Sequence, residues 1–116
     1  MLSLTPGCRI WLCTQPTDMR RSFDGLSALV RNHLAADPTS GDWFAFINRR
    51  ATQIKVLTFE EGGYCVWSKR LEQGRFAVLG VAGNAKRSLS RTEFLALLEG
   101  VDLVVKRRRK RYKKVA

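Results

Sequence analysis

The chain has 116 residues, a hydrophobic fraction of 45% and a formal net charge of +11. This length fits one domain with one core that needs neither a metal ion nor a disulfide to fold, and the hydrophobic fraction argues against disorder throughout. No apolar run approaches the roughly 18 residues of a membrane span, and the N-terminus lacks the pattern of a secretory signal. We therefore expect a cytoplasmic protein with no membrane partner.

The first elements predicted along the chain are a strand and a helix. The short apolar run Arg9 to Cys13 stands between Pro6-Gly7 and Pro16, which is typical of a strand. Apolar residues at three- and four-residue spacing then predict a helix that ends near Leu34, with one buried face formed by Phe23, Leu26, Leu29 or Val30, and Leu34. The turn residues Asp37 to Gly41 close this unit.

The middle third is rich in β-branched and aromatic residues. It predicts three strands, Trp43 to Asn48, Gln53 to Glu60 and Tyr64 to Lys69, whose short connections favour antiparallel hairpins. In the second strand Ile54 and Val56 point to one face while Leu57 and Phe59 point to the other, which is typical of a strand covered on both sides. Phe76 to Val81 is a candidate for a further strand.

The last predicted element is a second helix with a clear start. Ser90 and Glu93 have the spacing of a capping box, and Gly100 stands where a helix-ending glycine belongs. The predicted buried stripe is Phe94, Leu95, Leu97 and Leu98. We therefore predict one α+β domain over residues 1–105, in which a small antiparallel sheet of about four to five strands packs with two helices, followed by a basic flexible tail, residues 106–116.

Positive charge is concentrated in that tail. Eight of the 21 basic residues and no acidic residue lie there: Lys106, Arg107, Arg108, Arg109, Lys110, Arg111, Lys113 and Lys114. The residues before the tail carry the other 13 basic residues against 10 acidic ones, a net charge of +3. Cations at this density displace the counterions condensed on nucleic-acid phosphates. The tail is thus a candidate nucleic-acid-binding segment; the alternatives are a merely solvated tail or one that docks on an acidic protein.

A second basic group surrounds the predicted hairpins, and it comprises Asn48 together with Arg49, Arg50, Lys55, Lys69, Arg70 and Arg75. If the three strands form an antiparallel meander, the first loop and the end of the third strand lie at the same edge of the sheet. These side chains could then converge on phosphate oxygens. Alternatively, they form ion pairs with Asp42, Glu60, Glu61 and Glu72. Arg20 and Arg21 could join either arrangement. The sequence leaves both arrangements open.

No catalytic or metal site is predicted. Asp18 and Asp24 are explained as turn or helix-start residues, and the single histidine, His33, has no nucleophile beside it in the sequence. Three cysteines are an odd count, which fits buried free thiols better than a metal site. We expect no cofactor, no small-molecule substrate and no enzyme activity.

Four sequence blocks together resemble a known family. They are Asp18-Met19-Arg20-Arg21-Ser22-Phe23-Asp24-Gly25-Leu26, Phe46-Ile47-Asn48-Arg49-Arg50, Ile54-Lys55-Val56-Leu57 and Lys69-Arg70-Leu71-Glu72-Gln73-Gly74-Arg75-Phe76. In this order and spacing they resemble the TnpB-type accessory protein of the insertion-sequence-66 family, the product of that element's second open reading frame.

The resemblance implies an accessory role in transposition beside a separate DDE-type transposase. The expected partners are DNA, as element ends or non-specific duplex, and the transposase and other proteins of the element, with the protein associated with the nucleoid. Two alternatives remain: a module that docks on the transposase without touching DNA, and an RNA-binding regulator.

Overall fold

The computed structural model describes residues 7–77 and 84–99. These residues form, in chain order, β1 (Ile10–Cys13), α1 (Phe23–Asn32), β2 (Trp43–Ile47), β3 (Gln53–Glu60), β4 (Gly63–Arg70), β5 (Lys86–Leu89) and α2 (Arg91–Leu98). The predicted α+β class, with two helices and a small sheet, is confirmed. Residues 100–116, which include the predicted Gly100 cap and the basic tail, lie outside the described residues.

The five strands form one mixed sheet in the order β4-β3-β2-β1-β5. Three of its four pairings are antiparallel, but β1 and β2 run parallel, with Ile10 opposite Trp43. The sheet therefore departs from a wholly antiparallel one at a single pairing. The reason is that α1 carries the chain back along the sheet between the two strands, so β2 starts at the same end as β1.

Strands β2, β3 and β4 form the antiparallel meander that the short connections predict. Ile54 and Val56 pack into the core on one face of β3, and Leu57 packs into the core on the other. Gln53 pairs with Arg70, so the β2–β3 loop and the end of β4 lie at the same end of the sheet. This register is the one that the side chains of the second basic group need in order to converge at one edge of the sheet.

The two helices cover opposite faces of the sheet. Leu26 and Val30 of α1, with Leu34 just after it, pack on one face of the sheet against Cys13, Phe44, Phe46 and Leu57. Helix α2 packs on the other face, where the Trp43 and Phe94 rings meet edge to face at 5.6 Å. The described residues thus form three layers, and neither of their helices is long and apolar enough to span a membrane.

Helix α2 begins as predicted but buries a different set of residues. The Ser90 side chain accepts a hydrogen bond from Glu93 N, and the Glu93 carboxylate accepts one from Ser90 N, which confirms the capping box. Leu95, predicted to be buried, is 51% exposed, whereas Ala96 is buried. The helix has only eight residues and docks through Phe94 and Leu97, three apart, so Leu95 faces away from the sheet.

Two expectations after β4 also need correction. Strand β5 was not predicted, although it pairs along its whole length with β1. Of the predicted strand Phe76 to Val81, the first two residues lie in no strand, and residues 78–81 lie outside the described residues.

Candidate nucleic-acid interface

A groove of about 740 Å³ opens at the carboxyl ends of β1 and β2, between the β1–α1 loop and the β2–β3 loop. Its lining comprises Cys13, Gln15, Pro16, Thr17, Asp18, Met19, Arg21, Leu29, His33, Asn48, Arg49 and Arg50. The carboxyl ends of parallel strands are a common place for ligand sites, because the loops that leave neighbouring strands diverge there. The single parallel pairing of this sheet therefore creates the crevice.

The β2–β3 loop presents Arg49 and Arg50 to this groove on a braced backbone. Asn48 Oδ1 accepts hydrogen bonds from the backbone N–H groups of Thr52 and Gln53, at 2.9 and 3.0 Å, and Asn48 Nδ2 donates to Thr52 Oγ1. Ala51 N donates to Asn48 O at 3.0 Å, which closes a tight turn across the two arginines. The hydrogen bonds of the Asn48 side chain thus tie the two ends of the loop together, as backbone pairing does between strands. They restrict the positions that Arg49 and Arg50 can adopt.

The segment after β4 brings Arg75 to the same place. Leu71 N donates to Thr52 O and Phe76 N donates to Ala51 O, so this segment is tied to the β2–β3 loop at both of its ends. Arg75 consequently lines a smaller hollow of about 290 Å³ whose walls also include Arg49 and Arg50.

Arg21 approaches the groove from the opposite wall, just before α1. A Cβ atom added at Gly25 would lie 3.1 Å from Arg21 Cβ, so glycine one turn into the helix leaves room for this arginine to fold back against it. We call Arg21, Arg49, Arg50 and Arg75 the arginine edge.

The arginine edge holds unneutralised charge. All four side chains are exposed, and none makes an ion pair or side-chain hydrogen bond among residues 7–77 and 84–99. The acids that the sequence offered as ion-pair partners do not pair with these four arginines. Asp42 accepts hydrogen bonds from Arg9 N and Trp11 Nε1, and Glu72 Oε2 lies 3.5 Å from Arg70 Nη2. Within the described part of the chain, convergence rather than ion pairing thus holds for Arg49, Arg50 and Arg75.

Among the described residues that line the groove, the one carboxylate, Asp18, is already bound to Arg20. Arg20 Nε and Nη2 donate to both of its oxygens, and Arg20 N adds a backbone bond. These hydrogen bonds, first that of the Arg20 side chain, lower the pKa of Asp18 from its ordinary 3.8 to about 2. Asp18 therefore stays ionised with its charge offset by Arg20, and its place in a turn before α1 agrees with the sequence prediction.

Two of the predicted binding residues line neither the groove nor the smaller hollow and bond instead to backbone carbonyls. Lys55 lies on the α1 side of the sheet, where its Nζ donates to Met19 O at 2.7 Å and Arg21 O at 2.8 Å. Lys69 lies on the α2 side, where its Nζ donates to Leu98 O at 2.8 Å, at the C-terminal end of the helix. Both ammonium groups bind backbone carbonyls, which places them among the contacts that hold loops and helices to the sheet.

The remaining predicted residues fall into two groups. Arg70 lies at the end of β4 that is next to the β2–β3 loop, but it forms an exposed ion pair with Glu72. The eight tail residues from Lys106 to Lys114 lie outside the described residues.

Cys13 lines both hollows, yet its thiol is not arranged as a nucleophile. Burial raises its pKa, and its Sγ donates to Gln15 O at 3.5 Å, so it stays a protonated thiol at neutral pH. Within residues 7–77 and 84–99, no three His, Cys, Asp or Glu side chains are grouped in a way that could hold a metal ion.

Sequence reasoning did not assign the uncharged wall of the groove. Met19, Leu29 and His33 reach it from the β1–α1 loop and from α1, elements whose position over β1 and β2 depends on the parallel pairing. The sequence feature that could have indicated this wall is Asp18-Met19-Arg20-Arg21, in which an apolar residue stands among charged residues just before a helix.

Comparison with known proteins agrees with this architecture. The profile of the family described as IS66 Orf2 like protein matches residues 8–108. Two uncharacterized proteins of Sinorhizobium fredii (strain NBRC 101917 / NGR234), y4jC and y4hO, are 37% and 34% identical over 102 residues. The matches cover 88% of this chain in both cases, and 86% and 88% of the relatives.

No solved structure matches the chain. The family match nevertheless spans both walls of the groove and the whole sheet. The chain therefore belongs to the IS66 Orf2-like family, whose role is an accessory one in transposition.

Proposed function

We propose that this protein binds DNA and thereby assists a separate DDE-type transposase of its insertion element. The observation that carries the proposal is the arginine edge: four exposed guanidinium groups around neighbouring hollows, none of them neutralised by another described residue. Guanidinium groups present a planar fork of donors that matches phosphate oxygens, so an edge of this kind suits a nucleic-acid backbone.

The sequence of the tail supports the same proposal. Residues 106–114 add eight positive charges and no negative one to a body whose net charge is +3. In the proposed division of labour, the tail supplies sequence-independent attraction to DNA, while the arginine edge fixes how the body lies on the strand.

The transposase is the proposed protein partner. An accessory protein that grips DNA at its arginine edge leaves the outer surfaces of α1 and α2 available for protein contacts. We expect such a protein to associate with the nucleoid and to perform no hydrolysis itself.

The test is DNA affinity at two salt concentrations, about 50 and about 200 mM, for the full chain and for a variant without residues 106–116. If the tail contacts about five phosphates, the slope of log affinity against log salt includes about −4.5 from the tail, which corresponds to several hundredfold across this range. The truncated variant should lose that part of the salt dependence, and unchanged affinity would rule out the tail as the grip.

Two further results separate the alternatives. A full chain that ignores DNA in dilute buffer but co-purifies with the transposase would indicate a protein-docking module. Tighter binding of a matched RNA than of DNA in competition would indicate an RNA-binding regulator.

A further inference from the structure

The groove has two unlike walls. Arg21, Arg49 and Arg50 form a charged rim, whereas Met19, Leu29 and His33 form a wall without a fixed charge. A site for the phosphate backbone alone needs only the rim. The wall of Met19, Leu29 and His33 fits a ligand that carries an uncharged, flat group next to its phosphates.

The uncharged wall is built on a firm support. Leu29 and Met19 are half-buried and pack against the α1 face of the core, so each leaves only part of its side chain to the groove. His33 directly follows α1 as its C-cap residue and is exposed, with its backbone N–H fixed to Leu29 O at 2.8 Å. An imidazole ring beside aliphatic groups is a surface on which a nucleobase can stack.

The size of the groove is also informative. A volume of about 740 Å³ falls in the range of about 300–1,000 Å³ that is typical of small-molecule sites and exceeds what single phosphate contacts require. A base inside a duplex is stacked on both faces and cannot enter such a groove, whereas an unpaired base can.

We propose that the groove binds an unpaired nucleotide of a DNA strand, with the base against His33 and Leu29 and the adjoining phosphates on Arg21, Arg49 and Arg50. This inference rests on the proposed DNA-binding function and names the kind of DNA that the site accepts. The rim is pre-positioned for it: Asn48 braces the loop of Arg49 and Arg50, and Lys55 holds the Arg21 carbonyl. Duplex DNA would be held by the tail and by the outer side of the arginine edge.

The experiment compares the full chain with His33→Ala, His33→Phe and the control Asn32→Ala, an exposed neighbour that does not line the groove. Affinity is measured by fluorescence anisotropy for a labelled oligothymidylate and for a blunt duplex. His33→Ala should weaken single-strand binding roughly tenfold, as expected for loss of one base stack. It should change duplex binding less than about twofold, because the rim is untouched. His33→Phe should retain single-strand affinity, and Asn32→Ala should match the parent chain.

A second readout is independent of affinity. The His33 ring protons in the NMR spectrum should move upfield when oligothymidylate is added, because a stacked base shields them, and should not do so with the blunt duplex.

The outcomes separate the two proposals. If the chain binds duplex DNA but His33→Ala lowers both affinities equally, or neither, the nucleotide site is wrong and the DNA-binding function stands. If no DNA binds at all, both fail. If oligouridylate binds more tightly than oligothymidylate with the same dependence on His33, the assignment of the ligand as DNA is overturned.

Discussion

The arginine edge and the lysines of the sheet carry the same charge and make opposite kinds of contact. Lys69 and Lys86 each donate to a backbone carbonyl at or just after the C-terminal end of a helix, at 2.8 and 2.9 Å, and Lys55 donates to two carbonyls in the loop before α1, at 2.7 and 2.8 Å. Lys86 also lies over the Trp11 ring, 4.9 Å from its centre. The four arginines of the edge find no such partner among the described residues.

Because their contacts differ in this way, the basic residues near the motifs do not form one functional class. A lysine is a compact charge on a flexible stem, which suits a carbonyl at a helix end, whereas the arginine fork suits paired phosphate oxygens. In this fold Lys55, Lys69 and Lys86 join helices and loops to the sheet, whereas the four arginines of the arginine edge surround the carboxyl ends of β1 and β2 without an ion-pair partner among the described residues.

The largest effect should come from charge reversal at the arginine edge. We expect Arg49→Glu with Arg50→Glu to weaken duplex binding roughly hundredfold, since two charge-assisted contacts of about 1.5 kcal/mol each are lost. The control is Arg31→Glu with Arg91→Glu, which makes the same change of net charge at exposed sites away from the groove. Equal weakening by both pairs in an anisotropy titration would mean that only net charge matters.

The converse prediction concerns stability. Lys86→Met removes the bond to Leu34 O and the contact with Trp11, and should lower the free energy of unfolding by about 2 kcal/mol. Duplex affinity should change less than about twofold. Urea unfolding, with exposed Arg31→Met as the matched loss of one charge, measures this. Full stability together with weakened DNA binding would place Lys86 in the interface instead.

Asn48 should affect both properties, because it braces the loop that carries two arginines. Asn48→Ala removes three side-chain hydrogen bonds and should cost about 1–2 kcal/mol of unfolding free energy. DNA affinity should fall by roughly threefold to tenfold, because Arg49 and Arg50 lose their fixed placement. Asn32→Ala is the matched control, and a stability loss with unchanged affinity would show that bracing is irrelevant to binding.

The smallest effect concerns Asp18, the acid among the described residues of the groove. Arg20→Gln should raise the pKa of Asp18 from about 2 toward its ordinary 3.8, as measured by carboxyl carbon NMR. Because the folded-state pKa is depressed, the stability from this contact is present above about pH 4 and is lost as the pH falls toward 2. The variant should therefore lack this contribution above about pH 4, and its stability should approach that of the parent chain as the pH falls toward 2. A pKa that stays near 2 would assign the shift to the Arg20 backbone bond and the charge of Arg21 rather than to the Arg20 side chain.

Local patterns predicted the parts of the fold that depend on neighbouring residues. The β2–β3–β4 meander follows from short connections, and the Ser90 capping box from a three-residue spacing. The convergence of Arg49 and Arg50 with Arg75 follows from that meander. Strand β5 was missed because Lys86-Arg87-Ser88-Leu89 has no apolar alternation of its own, and its pairing partner is β1, more than 70 residues earlier.

Long-range contacts account for the rest. The carbonyl partners of Lys55 and Lys69 lie 34 to 36 and 29 residues away, in loops and helix ends whose positions no local pattern encodes. The uncharged wall of the groove depends on the parallel pairing of β1 with β2, which is set by the path of α1. The sequence could therefore locate the basic residues, but it could not show which of them hold the fold together and which are free to bind a ligand.

The most direct test of this division is the salt dependence of duplex affinity for two matched double variants. Arg49→Gln with Arg50→Gln and Lys69→Met with Lys86→Met each remove two charges from the folded chain, with folding verified by circular dichroism. The arginine pair should reduce the slope of log affinity against log salt by about 1.8, and the lysine pair should leave it unchanged. Equal reductions by the two pairs, or none by the arginine pair, would contradict the assignment of the arginine edge as the nucleic-acid interface.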